Sequence, residues 1–355
     1  MKNNRILILL PNFQYGGGEK ISLNSAQEFK KNHIEVTFIS QFIEGEFTEE
    51  IKKNYFIIKL SKSYFISFLK LLYFLFVKKY DALISNYFPL NTIASLAGFI
   101  SFTKVLCLEH SPPTLTPFIN NKKYKFFTVL FYNLAHKIIC VSEGINNDIS
   151  KNTYVFKNKL LTIYNPIPDH GYRITNNRSE KFKIISVGRL KHQKNHFLLI
   201  DAIKLLNENI KKNISVSIIG DGELKGKLEN YIKKNNLNNI IKILGFKNNP
   251  MKYVARSNLF ILSSDYEGLP TVLIEASYTG IDIISTDCPY GPSEILKNYS
   301  NSTLVSVKNK NMLSSSIEKY YNKKINKSVT RQNIDQSYLP NTIFKRYYSV
   351  IYNNE

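Results

Sequence analysis

A strand-sized apolar run followed by a helical stretch, repeated along 355 residues, is the pattern that leaves this chain the fewest options. Arg5–Leu10, Ile34–Ser40, Tyr55–Ile58, Ala82–Ser85, Lys104–Leu108 and Lys137–Val141 read as strands, and Ile21–Lys31, Ser63–Val77 and Asn120–Leu134 as helices between them. Further strands are expected at Phe182–Val187, Val216–Ile219, Ile240–Leu244, Leu259–Leu262 and Asp282–Ser285, with a helix over His196–Leu206 that Asn195 can cap. Such alternation predicts an α/β chain with parallel sheets covered by helices on both faces. Ligands of these sheets bind beyond the carboxyl ends of the strands, so the residues to search are those that follow each strand.

The length exceeds one ordinary domain. Two prolines and a glycine in Tyr164-Asn165-Pro166-Ile167-Pro168-Asp169-His170-Gly171, with the polar stretch to Lys181, mark a linker. Two domains are therefore expected, 1–170 and 171–340, followed by a last helix over 341–355 with Ile343, Phe344, Tyr347 and Val350 on one face. Cys107, Cys140 and Cys288 have no metal-ligand spacing and suit core packing in a reduced, cytosolic protein.

Residues 1–10 lack a signal peptide's architecture. The apolar region Tyr64–Val77 is interrupted by Lys70 and falls short of the ~20 residues that span a bilayer, so a packed or interfacial helix is expected. A net charge of +21 suits an anionic partner, but it is spread through both halves of a lysine-rich chain, and no nucleic acid partner is expected. Lys62, Lys70, Lys78 and Lys79 around Tyr64–Phe76, and Lys122, Lys123 and Lys125 before Phe126-Phe127, place basic residues beside aromatics. That pairing suits peripheral contact with an anionic membrane; a core helix with solvated ends is the alternative.

The stretch with most chemistry is Ser263-Ser264-Asp265-Tyr266-Glu267-Gly268-Leu269-Pro270-Thr271-Val272-Leu273-Ile274-Glu275-Ala276. Pro270 suits the first position of a helix, whose positive end then faces the turn and favours an anion. Glu275 is the only charge from Thr271 to Thr279 and must meet something polar, a ligand or a lysine or backbone partner. Arg189 and Lys194 lie in the loop after the strand Phe182–Val187, where a fork and a point charge suit a diphosphate. Gly16, Gly17 and Gly18 follow the first strand as a flexible turn or a phosphate cradle. Glu109 and His110 end the strand Lys104–Leu108, His110 either as a hydrogen-bond donor or as a structural histidine.

With Val187-Gly188-Arg189-Leu190, Lys194-Asn195, Gly220-Asp221-Gly222, the Glu267 to Glu275 pair and Gly291-Pro292-Ser293-Glu294 in this order, the chain resembles the family 4 retaining glycosyltransferases. The resemblance implies the GT-B architecture, two Rossmann-like domains facing across a cleft, with the last helix returning to the first domain. It implies a nucleotide-sugar donor, UDP-linked by preference, and a glycan or polyprenyl-diphosphate-linked acceptor in surface polysaccharide assembly. The place implied is cytoplasmic or peripheral to the cytoplasmic face of the inner membrane. Arg189 and Lys194 would hold the diphosphate, Glu275 the ribose, Glu267 and His110 the transferred sugar, with Gly17, Gly18, Gly268, Leu269, Pro270 and Thr271 lining the donor.

Glu267, His110, Arg189 and Lys194 are thus the expected catalytic groups. Glu267 stands where an Asp-x-Asp pair would need its second aspartate, so no metal and no other cofactor is expected. A sugar-nucleotide epimerase, a phosphorylase or a non-catalytic basic protein are the competing readings.

Overall fold

The computed structural model describes residues 3–14, 17–87, 89–111, 114, 129–174, 181–323 and 335–353. Gly16, Pro112-Pro113, most of the expected helix Asn120–Leu134, and Lys122, Lys123, Lys125 and Phe126-Phe127 lie outside these residues. The polypeptide forms two compact units, residues 1–168 with 336–355, and residues 169–335.

The first unit is built on a seven-stranded sheet with the order β3-β2-β1-β4-β5-β6-β7. Its strands are β1 (Arg5–Leu10), β2 (Glu35–Ser40), β3 (Phe56–Lys59), β4 (Ala82–Asn86), β5 (Lys104–Glu109), β6 (Lys137–Cys140) and β7 (Leu160–Thr162). All neighbours run parallel, with Ile8 of β1 level with Phe38 on one side and Ile84 on the other. β1 is central and its residues from Ile6 to Leu10 are buried, which explains a run of leucine and isoleucine without polar alternation.

Strand order reverses at β1, and right-handed crossovers put α1 (Gly17–Lys31) and α2 (Thr48–Asn54) on one face, α3 (Tyr64–Lys78) and α4 (Leu90–Ser101) on the other. The helix α5 (Glu143–Asn152) is capped by Ser142, whose hydroxyl accepts from the amide of Ile145. α3 is only partly a packed helix: Ser67, Leu71 and Leu75 are buried, while Phe65, Ile66, Leu69, Tyr73, Phe76 and Val77 are exposed. No helix among the described residues is long and apolar enough to cross a membrane.

The second unit holds a six-stranded parallel sheet with the order β10-β9-β8-β11-β12-β13. The strands are β8 (Phe182–Val187), β9 (Ile214–Ile219), β10 (Ile241–Ile243), β11 (Leu259–Leu262), β12 (Asp282–Thr286) and β13 (Ser302–Val305). Around them lie α6 (His196–Leu205), α7 (Glu208–Asn213), α8 (Lys225–Lys234), α9 (Met251–Val254), α10 (Thr271–Thr279), α11 (Pro292–Leu296) and α12 (Lys310–Lys323). Leu199, Ile200 and Ile203 of α6 pack with Ile184, Val216 and Ile261 of the sheet and Leu313 and Ile317 of α12 in one core.

Three differences from the sequence reading have plain causes. Gly17 and Gly18 form the first turn of α1, so the helix opens in the glycines instead of at Ile21. Pro270 is the residue before α10, with ψ at 91°, and Thr271 is the first helical residue; by contrast Pro292 does open α11. β7 and β13 are short and partly polar, and they are placed by pairing with β6 and β12.

The last helix, α13 (Pro340–Tyr352), belongs to the first unit. Ile343, Tyr347, Val350 and Ile351 enter the core formed by β1, β2 and α1, and Phe29 of α1 meets Phe344 and Tyr347 edge to face, 5.7 and 6.1 Å between centroids. Tyr347→Ala should therefore destabilise the protein by about 3–5 kcal/mol in urea unfolding. Exposed Tyr154→Ala should change it by less than about 0.5 kcal/mol.

Candidate active site

Two clusters of polar groups stand at carboxyl ends of strands, one in each unit. In the second unit, β8 ends at Val187 and the loop Gly188–Asn195 follows. Asn195 turns into the left-handed region, φ 41°, and its side chain accepts from the amide of Leu198, which starts α6. His196, buried beneath the loop, is pushed down to about 4 by burial and then by the charge of Lys194, so it is neutral at neutral pH.

The Gly220-Asp221-Gly222 turn after β9 holds this loop from the side. Gly188 donates to Ile219 and Leu190 to Asp221, while Leu224 donates to Leu190. Gly220 has φ 152°, and a Cβ there would stand 1.9 Å from the carbonyl oxygen of Gly188. Only glycine permits that approach.

On the other side the loop is stitched to the turn after β11. Asp265 donates its amide to the Gln193 carbonyl, Gln193 Nε2 donates to the Tyr266 carbonyl, and the Ser263 hydroxyl donates to the Lys194 carbonyl. Asn195 Nδ2 donates to Asp265 Oδ1 at 2.8 Å. At the centre lies Glu267, 6 % exposed, whose Oε1 accepts from Lys194 Nζ at 2.5 Å and from Ser264 Oγ at 2.6 Å, and whose Oε2 accepts from Gln193 Nε2 at 3.3 Å. A carboxylate this buried is stable only with such partners. The Glu267 amide and carbonyl bond to Pro289 and Tyr290, which ties the segment before Gly291-Pro292-Ser293-Glu294 to the same turn.

Cations gather in the loop. Arg189 is exposed, and the Lys191 ammonium is held below its ordinary range by burial first and then by the charges of Lys194 and Arg189. Lys191 was not among the groups singled out from sequence, although three basic residues within Arg189–Lys194 were there to be read. Gly268, Leu269 and Pro270 are buried in the turn. Pro270, the residue before α10, makes no side-chain cap; the first turn begins at half-buried Thr271, and the Leu273 amide donates back to the Pro270 carbonyl. Glu275 is half-buried on α10 and is not without a partner.

In the first unit Gly17, Gly18 and His110 come together through a residue the sequence reading missed, Tyr87. It follows β4 with φ 73°, an uncommon conformation for a tyrosine. Its ring lies 5.3 Å from that of His110, and its hydroxyl is 1.9 Å from where a Cβ on Gly18 would sit, so Gly18 leaves room for Tyr87; Gly17 faces open space. His110 Nε2 meets Asn86 Oδ1 at 3.0 Å, and burial lowers its pKa to about 4. With Asn86 Oδ1 as acceptor, the neutral ring carries its proton on Nε2 and presents Nδ1 as an acceptor. The expected donor thus points to Asn86.

Beside it, Glu109 Oε1 accepts from the Tyr132 hydroxyl and from Asn91 Nδ2 at 2.9 Å. Burial raises the carboxyl to about 7, against the opposing effect of those two donors. Among the described residues no group of three His, Cys, Asp or Glu could hold a metal ion.

Comparison with known proteins shows the family and the fold. The profile described as Glycosyltransferase Family 4 matches residues 15–170, and that described as Glycosyl transferases group 1 matches residues 172–336. An uncharacterized glycosyltransferase of Methanocaldococcus jannaschii is 38% identical over 183 residues, 49% of this chain and 44% of the relative. The N-acetylgalactosamine-N,N'-diacetylbacillosaminyl-diphospho-undecaprenol 4-alpha-N-acetylgalactosaminyltransferase of Campylobacter jejuni is 34% identical over 230 residues, 63% of this chain and 62% of the relative. The chain thus spans about half of these curated relatives' length. The crystal structure of Anabaena HepE in complex with UDP and glucose superposes with a TM-score of 0.83 at 17% identity, over 98% of both chains, which shows the shared fold.

Two outcomes test this geometry. Gly220→Ala should lower the melting temperature, because the Cβ meets a backbone oxygen; Gly226→Ala, with open space around it, should be neutral or slightly stabilising. Glu109 has a folded pKa above its unfolded value, so its contribution to stability is full below about 4.5 and is lost as pH rises toward about 7. His110, lowered to about 4, works in the opposite direction up to about 6.5. Glu109→Gln removes only the first effect: urea unfolding from pH 5 to 8 should show the stability of the variant gaining on wild type with rising pH.

Proposed function

Because the chain belongs to the family 4 glycosyltransferases, we propose that it is a retaining enzyme that moves a hexose or N-acetylhexosamine from a UDP-sugar to a lipid-linked glycan, at the cytoplasmic face of the membrane, in surface polysaccharide assembly. The observation that carries the reading is the Arg189, Lys191 and Lys194 loop, bonded directly to the Glu267 turn ahead of the uncapped start of α10. The lipid-linked acceptor is supported by the name of the Campylobacter jejuni relative, and the UDP-linked donor by the ligand of the HepE crystal structure.

As the bond to the sugar breaks, the departing nucleoside diphosphate gains negative charge. Fixed cations and helix amides stabilise that charge more than the ground state, which is what lowers a barrier. In this reading they do the work a divalent ion does elsewhere, and the enzyme needs no metal. Arg189 grips the diphosphate, and Lys194 does so while held in place by Glu267. Glu275 holds the ribose. Glu267 orients the transferred sugar; the departing phosphate oxygen takes the acceptor's proton on the same face, so the configuration is kept and no covalent intermediate is needed.

A panel of UDP-, GDP- and ADP-sugars, read by thermal shift and by release of nucleotide, tests the proposal. A UDP-sugar should raise the melting temperature and be consumed in the presence of chelator. Arg189→Ala and Glu275→Gln should weaken nucleotide binding about tenfold or more, and Glu267→Gln should lower turnover with a smaller effect on nucleotide affinity. Glutamine is the informative change at Glu267, since alanine strands the Lys194 ammonium in a site where it is 15 % exposed. No shift and no turnover with any donor would overturn the reading.

A further inference from the structure

A helix on the surface of a water-soluble unit normally turns its charged side outward. α3 instead turns a broad apolar face outward, beside its exposed lysines. Ser67, Leu71 and Leu75, spaced four apart, are buried. Phe65, Ile66, Leu69, Tyr73, Phe76 and Val77 are 48 to 70 % exposed. At 3.6 residues per turn these six fall within an arc of about 120°, so they form one apolar stripe. α4 packs along α3 and adds exposed Phe99 and Ile100, and Phe102, which ends it, is 94 % exposed with φ 58°. An apolar surface of this extent on a folded unit marks a place where something docks.

The charges around the stripe say what. Residues 51–80 contain no aspartate or glutamate, and their lysines include Lys62 ahead of α3, Lys70 within it, and Lys78 and Lys79 at its end. Lys70 donates to the carbonyl of Lys59 at 2.5 Å, and no carboxylate pairs with Lys62, Lys70, Lys78 or Lys79 among the described residues. A second copy of this chain would bring the same lysines against each other. Aromatic and aliphatic side chains edged by unpaired ammonium groups match a layer that is apolar within and anionic at its surface.

We propose that α3 and the end of α4 dock the first unit onto a bilayer containing anionic lipid, with α3 lying in the plane of the interface. Fifteen residues make a helix of about 22 Å, shorter than the ~30 Å hydrocarbon layer, so α3 rests on the membrane and does not cross it. Tyr73 and the phenylalanines enter the boundary between headgroups and acyl chains, and the lysines contact lipid phosphates. This placement suits the lipid-linked acceptor proposed above, yet it stands on exposure and charge alone.

Flotation of the full chain with phosphatidylcholine vesicles, with and without phosphatidylglycerol, tests it. Wild type should float with the anionic vesicles, and less so as salt rises. Phe65→Ser with Phe76→Ser, and separately Lys62→Glu with Lys78→Glu and Lys79→Glu, should each weaken binding at least tenfold, roughly the loss of 1.4 kcal/mol or more. Both sets change exposed side chains, so melting temperature and UDP-sugar turnover in detergent-free solution should match wild type. Equal binding to neutral vesicles, binding unchanged in either variant, or a dimer that the Phe65 and Phe76 changes dissolve would overturn the proposal, and none of these results bears on donor binding.

Discussion

The buried contact between Lys194 and Glu267 is the constraint on which the polar end of the second unit depends. One residue comes from the loop after β8 and the other from the turn after β11, adjacent strands of the sheet. Each charge is tolerable in its place only because the other is there, and Ser264 and Gln193 complete the coordination of the carboxylate. The consequence is mechanical as much as electrostatic. The loop that carries Arg189 and Lys191 cannot drift from the turn that leads into α10 without exposing an unmatched charge, so cations and helix amides keep a fixed spacing before any ligand arrives. Preorganisation of this kind is what makes electrostatic stabilisation effective.

The first unit solves a similar problem with packing instead of charge. Tyr87, in a conformation tyrosine seldom adopts, lies over His110 and reaches the missing side chain of Gly18. Three strand ends, those of β1, β4 and β5, are thereby linked through one ring. Burial keeps His110 neutral and Glu109 partly protonated near neutral pH, so neither group adds a full charge to this end of the sheet.

How much of this the residues announce depends on what kind of signal each part leaves. Both parallel sheets are legible, since buried strands such as Ile6–Leu10 and Leu259–Leu262 are uninterrupted apolar runs closed by turn residues. Arg189, Lys194 and Glu267 are legible because charges directly after such runs stand out. The contact of Lys194 with Glu267 is not, because it joins positions more than seventy residues apart and depends on the order of strands. Tyr87, Asn91 and Tyr132 leave no trace at all: a tyrosine or asparagine in a chain rich in both carries no mark of the ring or carboxylate it will meet. The start of α1 was obscured for a different reason, since glycine disfavours helix, and only the Tyr87 hydroxyl explains its presence in a first turn.

One unit is continuous in the chain and the other is not. The polypeptide completes β1 to β7, builds all of residues 169–335, and only then supplies α13, whose Ile343, Tyr347 and Val350 close the core over Phe29 and β1. During synthesis the earlier-made sheet must therefore wait, with part of its apolar surface uncovered, while the later-made unit emerges from the ribosome and can already fold. The order of translation and the order of completion are inverted, since the unit begun first is closed by a helix made after the other unit.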